Sequence, residues 1–180
     1  MVVLNGGKKG SRAQKSALEV AVAMLARREH SRAELAQKLR QKGFGAAEIA
    51  AALDELVARN YLNDGRFALV RAGYRAEHSK WGPVKIRQEL AARGVRGDEV
   101  GAALAAAEEA GGDWLKVAKG LLARKFKEPL VMDSIADGAL GGREVVEVYN
   151  KEKARRVGFL LRRGFTMAQA LAAVGGASDE

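Results

Sequence analysis

Apolar residues recur at three- and four-residue spacing through long proline-free stretches, the pattern of helices that bury one stripe. Sustained alternation with period two does not occur, so the expected fold class is all-α. The first helix is read from about Ser16 to Glu29, with Leu18, Val22 and Leu25 at apolar positions. Ser31 and Glu34 match a capping box, in which hydroxyl and carboxylate satisfy each other's orphan N–H groups, and open a second helix that stops at Gly43. A third helix follows over about Ala46 to Arg59, with Ile49, Leu53 and Leu56 inward. Asn63 or Asp64 can cap a fourth, which runs to about His78, where Trp81-Gly82-Pro83 breaks the pattern and Pro83 suits the first turn of the next helix.

The pattern repeats. A shift of about 51 residues lays Leu39, Lys42, Gly43 and Phe44 on Leu90, Arg93, Gly94 and Val95. Leu160, Arg163, Gly164 and Phe165 form a third copy, with Arg156 where Leu35 and Ile86 stand in the others. Each glycine falls where a short helix–helix turn needs positive φ, and each following apolar residue anchors the turn. The expected organisation is a basic, disordered arm over residues 1–15, then three-helix units over 16–60, 61–110 and 111–180. A helix at about Gly112 to Phe126 opens the last unit, and an inserted loop at about 127–150 interrupts it. Such units bury apolar faces partly against neighbours, which predicts an elongated, curved array.

Composition narrows the function. There is no cysteine, so disulfides and thiolate metal sites are excluded. No apolar run reaches the ~18 residues of a membrane span, and the N-terminus lacks a signal-peptide core, so a cytoplasmic protein is expected. Lys+Arg is 31 against 22 Asp+Glu, a formal charge of +9, which favours an acidic partner without choosing one.

Several segments, taken in order, resemble the RecX family of bacterial regulatory proteins: Ser31…Glu34-Leu35…Leu39…Lys42-Gly43-Phe44; Tyr61-Leu62-Asn63-Asp64…Phe67-Ala68; Trp81-Gly82-Pro83…Ile86…Glu89-Leu90…Arg93-Gly94-Val95; and Arg162-Arg163-Gly164-Phe165. The resemblance spans about Ala17 to Val174, and the Gly-bearing stretch from Lys127 to Asn150 departs from it. It implies a tandem three-helix array that lies along the groove of the RecA recombinase filament on single-stranded DNA. It further implies modulation, usually negative, of recombination, DNA-dependent ATP hydrolysis and cleavage of the SOS repressor. Neither a cofactor nor a catalytic activity is implied, and the chain is expected to be a monomer with weak nonspecific DNA binding.

The residues themselves offer little catalytic chemistry. Only His30 and His78 could serve a triad, and both read as exposed residues at helix ends. No Gly-rich loop ends in Gly-Lys-Ser/Thr. Asp133, Asp137, Glu144 and Glu147 form an acidic stretch better read as a solvated loop than as a Mg²⁺ site. The cations say more. Residues 12–60 hold 9 basic against 6 acidic side chains and residues 61–110 hold 8 against 7, so the excess lies elsewhere. It concentrates in the arm (Lys8, Lys9, Arg12, Lys15) and in Lys151, Lys153, Arg155, Arg156, Arg162 and Arg163. On a helix whose buried stripe is Ala154, Val157 and Leu161, each arginine pair seven apart shares a face. Arg124, Lys125 and Lys127 are close in sequence and complete a candidate phosphate- or acid-contacting ridge. Arg71, Arg75, Lys85, Arg87 and Arg93 are a second candidate set, with Arg71 and Arg75 facing one way and an ion pair from Arg93 to Glu89 as the plainer alternative. Phe44, Phe67 and Phe165 fall on core positions, Tyr61 is expected to pack between units, Trp81 and Trp114 are expected at helix junctions, and Tyr74 is undetermined. A helix-turn-helix-like DNA-binding protein acting without a recombinase is the alternative function, opposed by Glu48, Asp98 and Glu99 on the third helices, which would repel phosphate. A scaffold repeat binding another protein is a third.

Overall fold

The computed structural model describes residues 15–111, 113–128, 130 and 141–175. All regular structure among them is helical: α1 (Ala17–Leu25), α2 (Arg32–Gln41), α3 (Ala46–Ala58), α4 (Asp64–Glu77), α5 (Pro83–Ala92), α6 (Asp98–Gly111), α7 (Trp114–Lys125), α8 (Gly142–Arg162) and α9 (Met167–Gly175). None of these helices is long and apolar enough to cross a membrane. The arm residues Lys8, Lys9 and Arg12 lie outside the described residues, and Lys15 is exposed.

The same helix stop recurs three times. Gly43, Gly94 and Gly164 take φ of 90°, 83° and 87°. In each turn the glycine N–H donates back to Arg40, Ala91 or Leu161, and the next residue, Phe44, Val95 or Phe165, donates to the carbonyl of Leu39, Leu90 or Leu160. This pairing satisfies two orphan carbonyls and brings the apolar residue after the glycine onto the leucine, the Schellman arrangement. Leu39, Leu90 and Leu160 are fully buried. Asn60, at φ 57°, ends α3 by the same route: Tyr61 N–H donates to Leu56, and Leu62 takes the buried place. Tyr61 therefore points out, 56 % exposed, contrary to the packing expected of it.

The chain divides into two compact units, one up to Asn63 and one from Asp64. In the first, α1 and α2 pack on α3 around Leu35, Leu39, Ile49, Leu53, Leu56 and Leu62. The inward residues of α1 are Ala17 and Ala21; Leu18 and Leu25 pack at the edge, and Val22, expected inside, is 42 % exposed. Small residues on this face let α1 lie close to α3, and Glu48 of α3 accepts the Ala17 N–H at 3.0 Å. In the second unit α4 packs chiefly on α6, and α9 on α7 and α8. One continuous core runs from Phe67 and Ile86 through Trp114 and Leu122 to Leu160, Phe165 and Val174.

The insertion is shorter than the sequence pattern predicts. Residues 142–150 belong to α8, which starts at Gly141, where the Glu144 carboxylate accepts the Gly141 N–H at 3.1 Å, and Val145 is buried. Glycines at 141 and 142 hide this start, because a helix-opening glycine looks like a breaker. On α8 the buried residues are Val145, Val157 and Leu160; Ala154 and Leu161, expected on the stripe from sequence, are exposed.

A candidate partner-binding surface

On α4, Arg71 and Arg75 share a face, and α5 presents Glu89 to both. Arg71 donates to Glu89 Oε1 from Nε at 3.0 Å and Nη2 at 2.5 Å; Arg75 donates from Nε to Oε2 at 2.7 Å and from Nη2 to Oε1 at 3.0 Å. Arg93 reaches the same carboxylate at 3.4 Å. Burial pulls the Glu89 carboxyl up, but hydrogen bonds from Arg75 and Arg71 and then their charges outweigh it and bring its pKa to about 2. One carboxylate thus holds three guanidinium groups and leaves the cluster cationic. The Arg75 guanidinium and the Lys85 ammonium each lie 4.3 Å from the centroid of Trp81, close enough for cation–π attraction. Arg87 is exposed and has no ion-pair partner among the described residues. Tyr74, half exposed, stacks on His78 with ring centroids 4.6 Å apart.

The second candidate set forms around Phe126, the residue that caps α7. Arg156 and Arg155 of α8 bring their guanidinium carbons to 4.9 and 5.3 Å from its ring, and Phe159 meets it edge-on at 5.8 Å. Arg156 also donates to the Glu128 carbonyl at 2.9 Å, and both arginines bond Glu152. Burial raises the Glu152 carboxyl, and the two arginine hydrogen bonds more than reverse it, so it sits below the usual carboxylate range. Arg124, Lys125 and Lys127, at and just past the end of α7 on either side of Phe126, are exposed. Arg156 itself is largely covered, with 11 % of its side chain exposed, and supports the ridge rather than lining it. Lys151 and Arg162 are exposed, and Lys153 lies 5.9 Å from the Tyr149 ring. Sequence reasoning misses Phe126, although Arg124-Lys125-Phe126-Lys127, an aromatic inside a basic run, is the signal that marks it.

Arg163 has a different role. Its carbonyl accepts the Gly82 N–H at 2.8 Å, the Gly164 carbonyl accepts the Val84 N–H at 2.9 Å, and its guanidinium donates to the Ser79 carbonyl at 3.4 Å. The Trp81-Gly82-Pro83 junction is thereby docked, backbone on backbone, against the turn between α8 and α9. A Cβ on Gly82 would strike the Gly164 backbone and Phe165 nitrogen, and one on Gly164 would strike Lys85. His30 also departs from expectation: it is 4 % exposed, with Nδ1 3.4 Å from Glu34, and burial, followed by the charge of Arg28, lowers its pKa. Among the described residues no three His, Asp or Glu side chains converge as a metal site would require; Asp133 and Asp137 lie outside them.

Residues 17–56 match the family model of the RecX first three-helix domain, and residues 63–104 that of the RecX second three-helix domain. The chain is also 35 % identical over 168 residues, 93 % of its length, to the regulatory protein RecX of Halorhodospira halophila, of which it covers 92 %. The chain belongs to the RecX family. RecX of Pseudomonas savastanoi pv. phaseolicola is 38 % identical over 147 residues, 82 % of each chain. The crystal structure of RecX from Lactobacillus salivarius superposes with a TM-score of 0.67 at 17 % identity, covering 89 % of this chain and 93 % of that one, so the tandem three-helix fold is shared. A second RecX crystal structure gives a TM-score of 0.62 at 16 % identity over 89 % of this chain and 70 % of the other. The Glu89 cluster lies inside the second RecX domain match, while the Phe126 ridge lies beyond both domain matches.

Proposed function

We propose that this RecX-family chain is a non-catalytic, cytoplasmic regulator that binds the RecA filament on single-stranded DNA and lowers its recombinase, ATPase and SOS co-protease activities. The observation that carries this reading is identity at 35 % over 93 % of the chain to a protein named for regulation. The geometry supports it. Two cationic surfaces, each organised around a single carboxylate, suit an extended acidic target more than a small substrate. Guanidinium groups fixed by Glu89 and Glu152 lose less freedom on meeting carboxylate or phosphate than free side chains would. Inhibition follows if the chain prefers one filament state, since equal affinity for two states shifts neither.

Titration of the chain against preformed filaments, with single-stranded-DNA-dependent ATP hydrolysis as readout, tests this. Suppression well below one molecule per recombinase subunit is expected. No effect up to equimolar protein sinks the reading and turns attention to direct DNA binding.

A further inference from the structure

The first unit carries a concavity of about 520 Å³ that neither cationic surface described above includes. Arg27 and Arg28, from the connector after α1, line it together with Lys38, Gln41 and Lys42 of the last turns of α2, with His30 below them. The charge count over residues 12–60, 9 basic against 6 acidic, hides it, although residues 27–42 hold six cations against two carboxylates. Four of the six carboxylates in residues 12–60 are engaged away from the pocket. Asp54 pairs with Arg32 at 2.7 Å and Glu55 with Arg59 at 2.5 Å. Glu19 caps Ser16, and Glu48 holds the Ala17 N–H. Glu34 closes on Arg28 at 2.6 Å and lies 3.4 Å from His30. Arg27, Lys38 and Lys42 are left without a carboxylate partner among the described residues, converging on one open pocket.

We propose that this pocket binds the phosphodiester backbone of a nucleic-acid strand. A phosphate offers several acceptor oxygens, and the pocket offers a guanidinium fork, two mobile ammonium groups and the Gln41 amide to meet them. Favourable placement at a helix C-terminus would account for Lys38 and Lys42, but not for Arg27 and Arg28 arriving from the connector to the same concavity. No Phe, Tyr or Trp lines it, so it has no platform on which to stack a base. It therefore reads backbone, and oligothymidylate and oligoadenylate should bind alike.

The test is fluorescence anisotropy of the full chain with a labelled oligothymidylate over a salt series, with no recombinase present, so its outcome is read apart from the ATPase result. Arg27→Gln/Lys38→Gln/Lys42→Gln is expected to weaken binding about tenfold or more. It should flatten the dependence of log affinity on log salt by about 0.7 for each phosphate that the variant no longer neutralises. Lys38→Gln/Lys42→Gln, confined to one helix face, should give an intermediate loss and carries the test if circular dichroism shows the triple variant unfolded. Arg40→Gln, exposed on α2 outside the pocket, should bind as the unaltered chain does. Pocket variants indistinguishable from Arg40→Gln overturn the proposal, as does failure of the unaltered chain to bind. Displacement of the oligonucleotide by polyglutamate at equal charge, abolished in the pocket variants, would assign the pocket to an acidic protein segment and overturn it equally.

Discussion

Glu89 keeps 13 % of its side chain exposed, between Arg71 and Arg75. Because its carboxyl titrates near 2 in the folded chain against an ordinary 4.5, the ionised form stabilises the fold above pH 4.5, and that contribution is lost as pH falls from 4.5 toward 2. The shift corresponds to at most about 3 kcal/mol. The unfolding free energy of the unaltered chain, read from urea titrations, should fall across this window, and that of Glu89→Gln, already lower at neutral pH by about 2 kcal/mol, should fall less. Equal pH profiles for the two proteins would show that Glu89 does not carry the effect. Arg71→Glu/Arg75→Glu is a poor probe of binding for the same reason: it would crowd carboxylates where guanidinium groups now hold one. The four-residue spacing of Arg71 and Arg75 is legible in the sequence. Their convergence with Arg93 on Glu89 is not, since it depends on how α4 lies against α5.

At the scale of elements, three turns with one backbone serve two purposes. Gly43 needs its glycine only for φ, as a Cβ there would meet nothing within 4 Å. Gly164 needs it for φ and for its close approach to Lys85. Gly82, at φ −77°, needs it for close approach alone. Gly43→Ala should therefore cost about 1–2 kcal/mol, the left-handed penalty. Gly164→Ala should cost more, and Gly82→Ala should destabilise by about 2 kcal/mol or more although alanine is at ease with its φ. Denaturant unfolding of the three variants checks the order; a neutral Gly82→Ala would show that the junction can relax away from the α8–α9 turn. The repeated basic-Gly-apolar motif makes all three turns readable. Nothing in it distinguishes Gly43 from Gly164, because the difference lies in Lys85, remote along the chain, which packs on one and not the other. The start of α8 is hidden for a related reason: Gly141 and Gly142 carry no side-chain cap signal, and the Glu144 hydrogen bond that sets the start is visible only in space.

For the whole molecule, the formal charge of +9 matters less than where its counter-charges sit. Arg87 on α5, Arg124 and Lys125 on α7 and Lys151 on α8 are exposed and have no ion-pair partner among the described residues. Reversing them removes cationic surface without breaking an internal pair. Arg87→Glu and Arg124→Glu/Lys125→Glu/Lys151→Glu should keep full helicity, and each should weaken suppression of filament ATPase by about tenfold at low salt, with a smaller difference at high salt. Unchanged suppression in both would remove these surfaces from the filament interface.

The sequence by itself determined the all-helical fold, the three glycine stops with their leucine and apolar partners, and the family, but not where α8 begins. These rest on spacing within a few residues, where 3.6-residue periodicity and the positive φ of glycine act locally. Tertiary structure alone decided that His30 and Glu34 lie beneath a group of cations, that Phe126 gathers the arginines of α8, and that Gly82 must meet Gly164 without a side chain between them. Charge pairing and close backbone approach depend on distances between residues remote along the chain, and no count of residues along it can supply them.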